Sequence, residues 1–193
     1  MATALLVIDL INDIAHPDGK IARSAERIIE SNVIQHTNQV ISHARKKNWP
    51  IIFVKVGFHA GYPECPKNSP LFGGAPKAGA LLLNSWGTEF HEDLDVQLSD
   101  NILIKHRVSC FYATTLEALL SASNIDTLVL TGVATNMTIE HTARDAHDRD
   151  YSVIVVQDCC ETASREAHLS SLESLSRIAT ITDTKKLLDL VAK

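Results

Sequence analysis

The chain has 193 residues, 45% of them hydrophobic and 21% charged, which is enough apolar material for a sizeable core and excludes a disordered chain. Lys and Arg number 18 against 23 Asp and Glu, a net charge of −5, and the longest basic run is Arg45-Lys46-Lys47, so no nucleic-acid partner is expected. No apolar stretch approaches the roughly 20 residues of a bilayer span, and Met1–Ile8 lacks a charged leader and cleavage site, so no membrane partner and a cytoplasmic location are expected, with signal-less export as the alternative.

Leu5-Leu6-Val7-Ile8 is a short continuous apolar run ending at Asp9, the pattern of a strand buried on both faces in a parallel sheet. Ile28, Ile29, Val33, Ile34, Val40, Ile41 and Ala44 follow at helical spacing and predict one helix over about 24–47, ended by Trp49-Pro50. Ile51–Val56 is a second buried strand. Residues 57–79 are rich in Gly and Pro with little periodicity, and loops of that length in a compact domain are usually functional.

Ile102-Leu103-Ile104 predicts a strand ending at Lys105, and Thr114-x-x-Glu117 is a capping-box pattern opening a helix over 116–122. Thr127–Thr131 is a further strand, leading through Gly132–Thr135 into a helix from about Met137 to Arg149. A strand at 153–156, a helix near 165–176, a strand at 178–181 and a helix from Thr184 complete the alternation. Such alternation with continuous apolar strands predicts a three-layer α/β, Rossmann-like architecture: a mostly parallel sheet with helices on both faces, one domain over 1–193.

In open α/β sheets ligands bind outside the carboxyl ends of the strands. Asp9, Lys105 and the Gly132–Thr138 turn all fall there. A single charge at a strand end is equally well a solvated edge residue. Two opposite charges at one end of one sheet favour a buried pair whose members tune each other. The turn Thr131-Gly132-Val133-Ala134-Thr135-Asn136-Met137-Thr138 would aim backbone N–H groups at a ligand, unless it is an ordinary strand–helix connection capped by Thr135.

Three segments together, Val7–Asp13, Lys105–Phe111 and Gly132–Ala146, resemble the isochorismatase-like hydrolase family, in matching order over nearly the whole chain. The resemblance implies a six-stranded sheet and a homodimer or homotetramer acting on a small molecule. It places Asp9 and Lys105 in an Asp–Lys–Cys triad whose cysteine position is taken here by Thr138. It also implies a cis peptide between Val133 and Ala134, with the backbone N–H groups of Ala134 and Thr138 facing substrate beside Asn136. Phe58, His59, Trp86 and Phe111 are expected as pocket walls, Trp86 being equally well an ordinary core aromatic. The family's nicotinamidases carry an Asp-x-His…His zinc site after the second strand. Here that stretch offers His59 with no acidic ligand before Glu64, so no metal and no cofactor are expected.

The family's amidases need a thiolate nucleophile, and an alcohol at Thr138 is far less acidic. Its isochorismatases cleave a vinyl ether by protonation and water attack, without a protein nucleophile. With Asp9 and Lys105 kept and the thiol lost, the expected function is metal-independent hydrolysis of a small carboxylate, isochorismate foremost, with Asp9 as general acid. An amidase-like hydrolase using Thr138 or water, and a non-catalytic metabolite binder, are the alternatives. Of Cys65, Cys110, Cys159 and Cys160 none is assigned a catalytic role.

Overall fold

The computed structural model describes residues 2–190, so the span 1–193 expected for one domain runs past the described residues at both ends. In chain order the elements are β1 (Thr3–Ile8), α1 (Asn12–Ala15), α2 (Ala25–Glu30), α3 (Val33–Lys46), β2 (Ile51–Val56), α4 (Ala75–Ala78), β3 (Asn101–Lys105), α5 (Leu116–Ala122), β4 (Thr127–Val133), α6 (Glu140–His147), β5 (Ser152–Glu161), α7 (Arg165–Leu175), β6 (Thr180–Thr182) and α8 (Thr184–Leu190). The six strands form one sheet in the order β3-β2-β1-β4-β5-β6, every neighbouring pair parallel. Three layers of this kind match the architecture read from the sequence. Among the described residues no helix is long and apolar enough to cross a membrane.

The apolar runs are continuous because both sheet faces are covered. Leu6, Ile8, Val54, Leu128 and Leu130 pack into one core with residues of α5, α6 and α7, while Leu5, Val7, Phe53 and Val129 pack into a second under α3 and α8. All seven residues of β4 are buried. β1 and β4 are sequential in neither direction yet lie side by side, so the strand order reverses between them and a crevice opens at their carboxyl ends.

Several boundaries differ from the sequence expectation. The single helix over 24–47 is two, broken where Asn32 turns left-handed (φ 51°), and Ile29 is left exposed. An asparagine tolerates that conformation, and periodicity alone does not register a break that keeps the helical face roughly in phase. Thr114 does not cap with Glu117: its hydroxyl donates to the Cys110 carbonyl and accepts from Leu116 N–H, and Thr115 is the residue before the helix. The helix expected from Met137 begins as a π-turn over Thr135–Ile139 and becomes α-helical at Glu140. β5 runs on to Glu161 because β4 pairs with it beyond a register shift between Leu130 and Gly132. β6 begins only at Thr180, since Ile178 and Ala179 close the preceding turn onto Leu175.

Gly132 is required where β4 meets β1. Its φ is +121°, and a Cβ there would sit 2.0 Å from the Ile8 carbonyl oxygen. Gly132→Ala is therefore expected to cost at least about 3 kcal/mol in urea unfolding. Gly61→Ala, at φ +81° with open space around it, is expected to cost only about 1 kcal/mol. Equal losses would show that backbone conformation, not contact with β1, decides the position.

Candidate active site

Asp9 follows the last residue of β1 with φ 56°, a left-handed conformation that turns the chain sharply out of the sheet. Its backbone N–H still donates to Val54 O (2.8 Å), so the residue stays anchored to β2. Its Oδ1 accepts from Val56 N–H at 2.8 Å. Lys105, opposite Val56 in the β2–β3 register, brings Nζ to 2.7 Å from Asp9 Oδ2. Both side chains are almost wholly buried, 1% exposed for Lys105 and 2% for Asp9. From the π-turn, Thr138 Oγ1 donates to the same Oδ2 at 3.1 Å. Three donors thus converge on one carboxylate. A second Lys105 N–H reaches Arg107 O at 3.2 Å, which leaves one of the three ammonium hydrogens free of these partners.

These groups open onto a cavity of about 270 Å³ at the β1/β4 crevice, lined by Asp9, Lys105 and Thr138 together with Val133, Ala134 and Asn136. The Val133–Ala134 peptide is cis. Behind the turn, Thr135 Oγ1 pairs with His168 Nδ1 (2.8 Å) and Ser171 Oγ donates to Thr135 O (3.2 Å), while Thr162 Oγ1 donates to Asn136 Oδ1 (2.7 Å). Thr135 is therefore held by its side chain to α7 and does not serve as an N-cap.

The four expected walls do not line the cavity. Phe58 is fully buried beside it, because its backbone pairs with Leu81 and Leu83 and turns the ring onto Phe72 and His106. His59 points outward, its Nδ1 2.5 Å from Glu64 Oε1. Trp86 is about half exposed with its ring edge against His16. Phe111 lies under the Arg149 guanidinium against Tyr151. The walls are instead Ile14, Ile21, Leu71, Phe72, Leu81 and Val108, with Arg23. What brings them in is Asp13. Its buried carboxylate accepts from Leu81 N–H (2.6 Å) and Lys20 N–H (3.3 Å), and its carbonyl accepts from Ile21 N–H (3.0 Å), tying two loops around the opening. The sequence carries Asp13 in plain view within the first motif, but nothing marks which distant loops it holds.

Among the lining residues Asp9 alone offers a His, Cys, Asp or Glu ligand atom, so a zinc ion in this cavity does not fit the residues present. His59 is nevertheless not isolated: its ring, Glu64 and His106 bring ligand atoms within 4.8 Å of one another, outside the cavity wall. The pairing with His106 crosses 47 residues of chain and leaves no local spacing to read. None of the four cysteines lines the cavity either. All are buried, and burial pushes the Cys110 and Cys159 thiols up to about 12 and raises those of Cys65 and Cys160.

Residues 3–186 match the isochorismatase domain family. The chain is 31% identical over 188 residues to an uncharacterized isochorismatase family protein, YecD, of Escherichia coli O157:H7, covering 97% of this chain and 95% of that one. It is 30% identical over 187 residues to ureidoacrylate amidohydrolase RutB of Methylobacterium radiotolerans, covering 90% of this chain and 72% of that one. An isochorismatase family protein from Desulfovibrio vulgaris has the same fold, with a TM-score of 0.88 at 24% identity over 100% of this chain and 99% of that one.

Removing one member of a buried ion pair costs about 3–5 kcal/mol, because the other charge is left uncompensated. Lys105→Met is expected to lose that much in urea unfolding, and the Asp9→Asn/Lys105→Met double variant less than the two single losses combined. Strictly additive losses would mean the two charges are not coupled. Because burial raises the thiol pKa values, reactive thiolate is scarce at pH 8 and grows only as the pH climbs toward the raised values. Ellman titration of the native protein at pH 8 is expected to find no rapidly reacting thiol, and all four in denaturant. A fast native thiol would contradict the burial of these side chains.

Proposed function

The chain belongs to the isochorismatase family of hydrolases, and on that premise we propose that it hydrolyses a small carboxylate substrate by acid chemistry and water attack, without a covalent enzyme intermediate. The observation that carries this reading is the contact of Thr138 Oγ1 with Asp9 Oδ2, in a cavity that no thiol lines. A hydroxyl there donates to the carboxylate and can hold a water, but it is a poor nucleophile beside a carboxylate base.

The substrate best suited is isochorismate, whose enolpyruvyl vinyl ether needs a proton on carbon. In this reading the substrate carboxylate draws the remaining Lys105 N–H, and Asp9, relieved of part of its ion pair, takes up a proton from solvent as substrate binds and delivers it to the methylene carbon. Water then adds to the oxocarbenium carbon and returns its proton to Asp9. The hemiketal collapses to pyruvate as the ring oxygen leaves with a proton. General acid catalysis of this kind contributes about 10²–10⁴-fold. Backbone N–H groups of Ala134 and Thr138 would face the substrate, as the resemblance implies.

Likeness to ureidoacrylate amidohydrolase supports a second reading, an amidase-type hydrolysis of a C–N bond in which Asp9 serves as base to a water held by Thr138. The two separate in one experiment. Purified protein incubated with isochorismate is expected to release pyruvate, and Asp9→Asn, verified as folded by circular dichroism, to lose at least about 100-fold in kcat. Thr138→Cys is expected to keep pyruvate release and to hydrolyse no small amide. Amide turnover by the wild type or by Thr138→Cys, with no pyruvate release, would replace the first reading by the second.

A further inference from the structure

Asp9 and Lys105 pair at 2.7 Å and leave one ammonium hydrogen to a ligand, so the net charge the cavity presents comes from a third residue. Arg23 stands just before α2, lines the cavity and is solvent-exposed. Other arginines have acidic partners: Arg27 with Glu161, Arg45 with Asp95 and Asp100, Arg144 with Glu140, Arg149 with Asp145 and Glu117. The Arg23 guanidinium has no hydrogen-bond or ion-pair partner among the described residues. Arg165 and Arg177 share that lack, but neither lines this cavity. The apolar part of the lining includes Ile14, Ile21, Leu71 and Phe72, and the volume of about 270 Å³ is just below the roughly 300–1,000 Å³ of ordinary small-molecule sites.

A free guanidinium at the rim of a small apolar pocket, with one Lys105 N–H still open deep inside it, is a pattern for a ligand anionic at both ends. We infer that Arg23 is a specificity residue that anchors a carboxylate of the substrate remote from the reacting bond, so that the substrate is a small dicarboxylate with an apolar or cyclic body between its two anionic groups. One carboxylate lies by Lys105 next to the bond that breaks. The other takes the planar fork of Arg23, which suits a carboxylate bidentately as a lysine would not. The apolar body lies on Ile21 and Phe72. This rests on the carboxylate reading above and assigns the far end of the substrate to a residue outside all three family motifs.

The position is set by Asp13. Because its carboxylate holds Lys20 N–H and its carbonyl holds Ile21 N–H, the segment carrying Arg23 is drawn over the cavity, and Arg23 N–H donates to Ile21 O at 2.8 Å to tighten that turn. The side chain itself pairs with no carboxylate among the described residues, so replacing it breaks no ion pair.

The test is binding, which does not depend on turnover. Benzoate and its uncharged analogue benzamide are titrated calorimetrically into wild type, Arg23→Gln, Arg23→Lys and Arg165→Gln. Benzoate is expected to bind wild type and Arg165→Gln alike, and about 10- to 100-fold more weakly to Arg23→Gln, the loss of one charge-assisted contact. Arg23→Lys should fall between, and benzamide should not distinguish the four proteins. Equal benzoate affinity for wild type and Arg23→Gln, or no benzoate binding by wild type, overturns the assignment. With isochorismate, Arg23→Gln should raise KM by a similar factor and leave kcat nearly unchanged, as a contact shared by ground and transition states does. If wild type releases no pyruvate while the benzoate difference holds, the proposed reaction fails and the carboxylate anchor stands.

Discussion

A carboxylate and an ammonium buried side by side are tolerable only when each is matched and its remaining hydrogen-bonding capacity is filled, because their desolvation otherwise exceeds their attraction. Asp9 and Lys105 meet that condition but for one ammonium hydrogen. The Val56 amide, the Lys105 ammonium and the Thr138 hydroxyl each occupy a lone pair of Asp9, and Arg107 O takes a second hydrogen of the ammonium. The partners come from β1, β2, β3 and the turn after β4. The pair therefore ties together the carboxyl ends of four adjacent strands, and the crevice keeps its shape because the pair keeps its geometry. Gly132 contributes from below: without a side chain it lets β4 close on β1, which sets Thr138 within reach of Asp9.

The same economy of donors governs the chemistry proposed for the site. A thiol beside Asp9 would be a nucleophile awaiting a base. A threonine beside Asp9 is a donor to a carboxylate, and the reactive partner passes to water and to the substrate's own proton demand. The thiols present elsewhere lie in the core, where burial holds them protonated. An anionic substrate enters naturally into such a scheme, since it can compete with Asp9 for the ammonium and leave the carboxyl group able to carry a proton. The charge at the rim, on Arg23, extends the same principle outward: a cation without a protein partner beside an apolar wall is available to an anion from solution.

The π-turn shows how a backbone of this kind is held in place. Its hydrogen bonds run to α7 through Thr135, His168 and Ser171 and to the end of β5 through Asn136 and Thr162. Glu161, at that strand end, is buried and held by Arg27 and Ser31. Helix α2, the turn and the last strand residues are thus linked to one another beside the cavity that Asn136 and Thr162 help to line.

Much of this was determined by the order of residues alone. Continuous apolar runs of three to five residues alternating with helical periodicity suffice for a doubly covered parallel sheet, because period-two and period-3.6 burial are local properties of the chain. Asp9, Lys105 and the Gly132–Thr138 turn were legible for a related reason: each sits at a strand end, and parallel strands deliver their carboxyl ends to one edge, while Thr138 itself stood out only through the family resemblance. Helix breaks and capping were read less well. A left-handed Asn32 or a Thr114 hydroxyl bonded to Cys110 O depends on single dihedrals that periodicity averages away.

The pocket walls were decided only by tertiary structure. Phe58, His59, Trp86 and Phe111 have the right residue types and chain positions, yet they face the loop core, the solvent or Arg149. Leu81, Ile21 and Arg23 take the wall because one buried carboxylate, Asp13, collects amides from two loops some sixty residues apart. A loop's path depends on which distant partner satisfies its backbone groups, and that partner has no period and no fixed spacing in the sequence. Strand ends can be counted from the chain, whereas the way loops close over them is known only once the chain has folded.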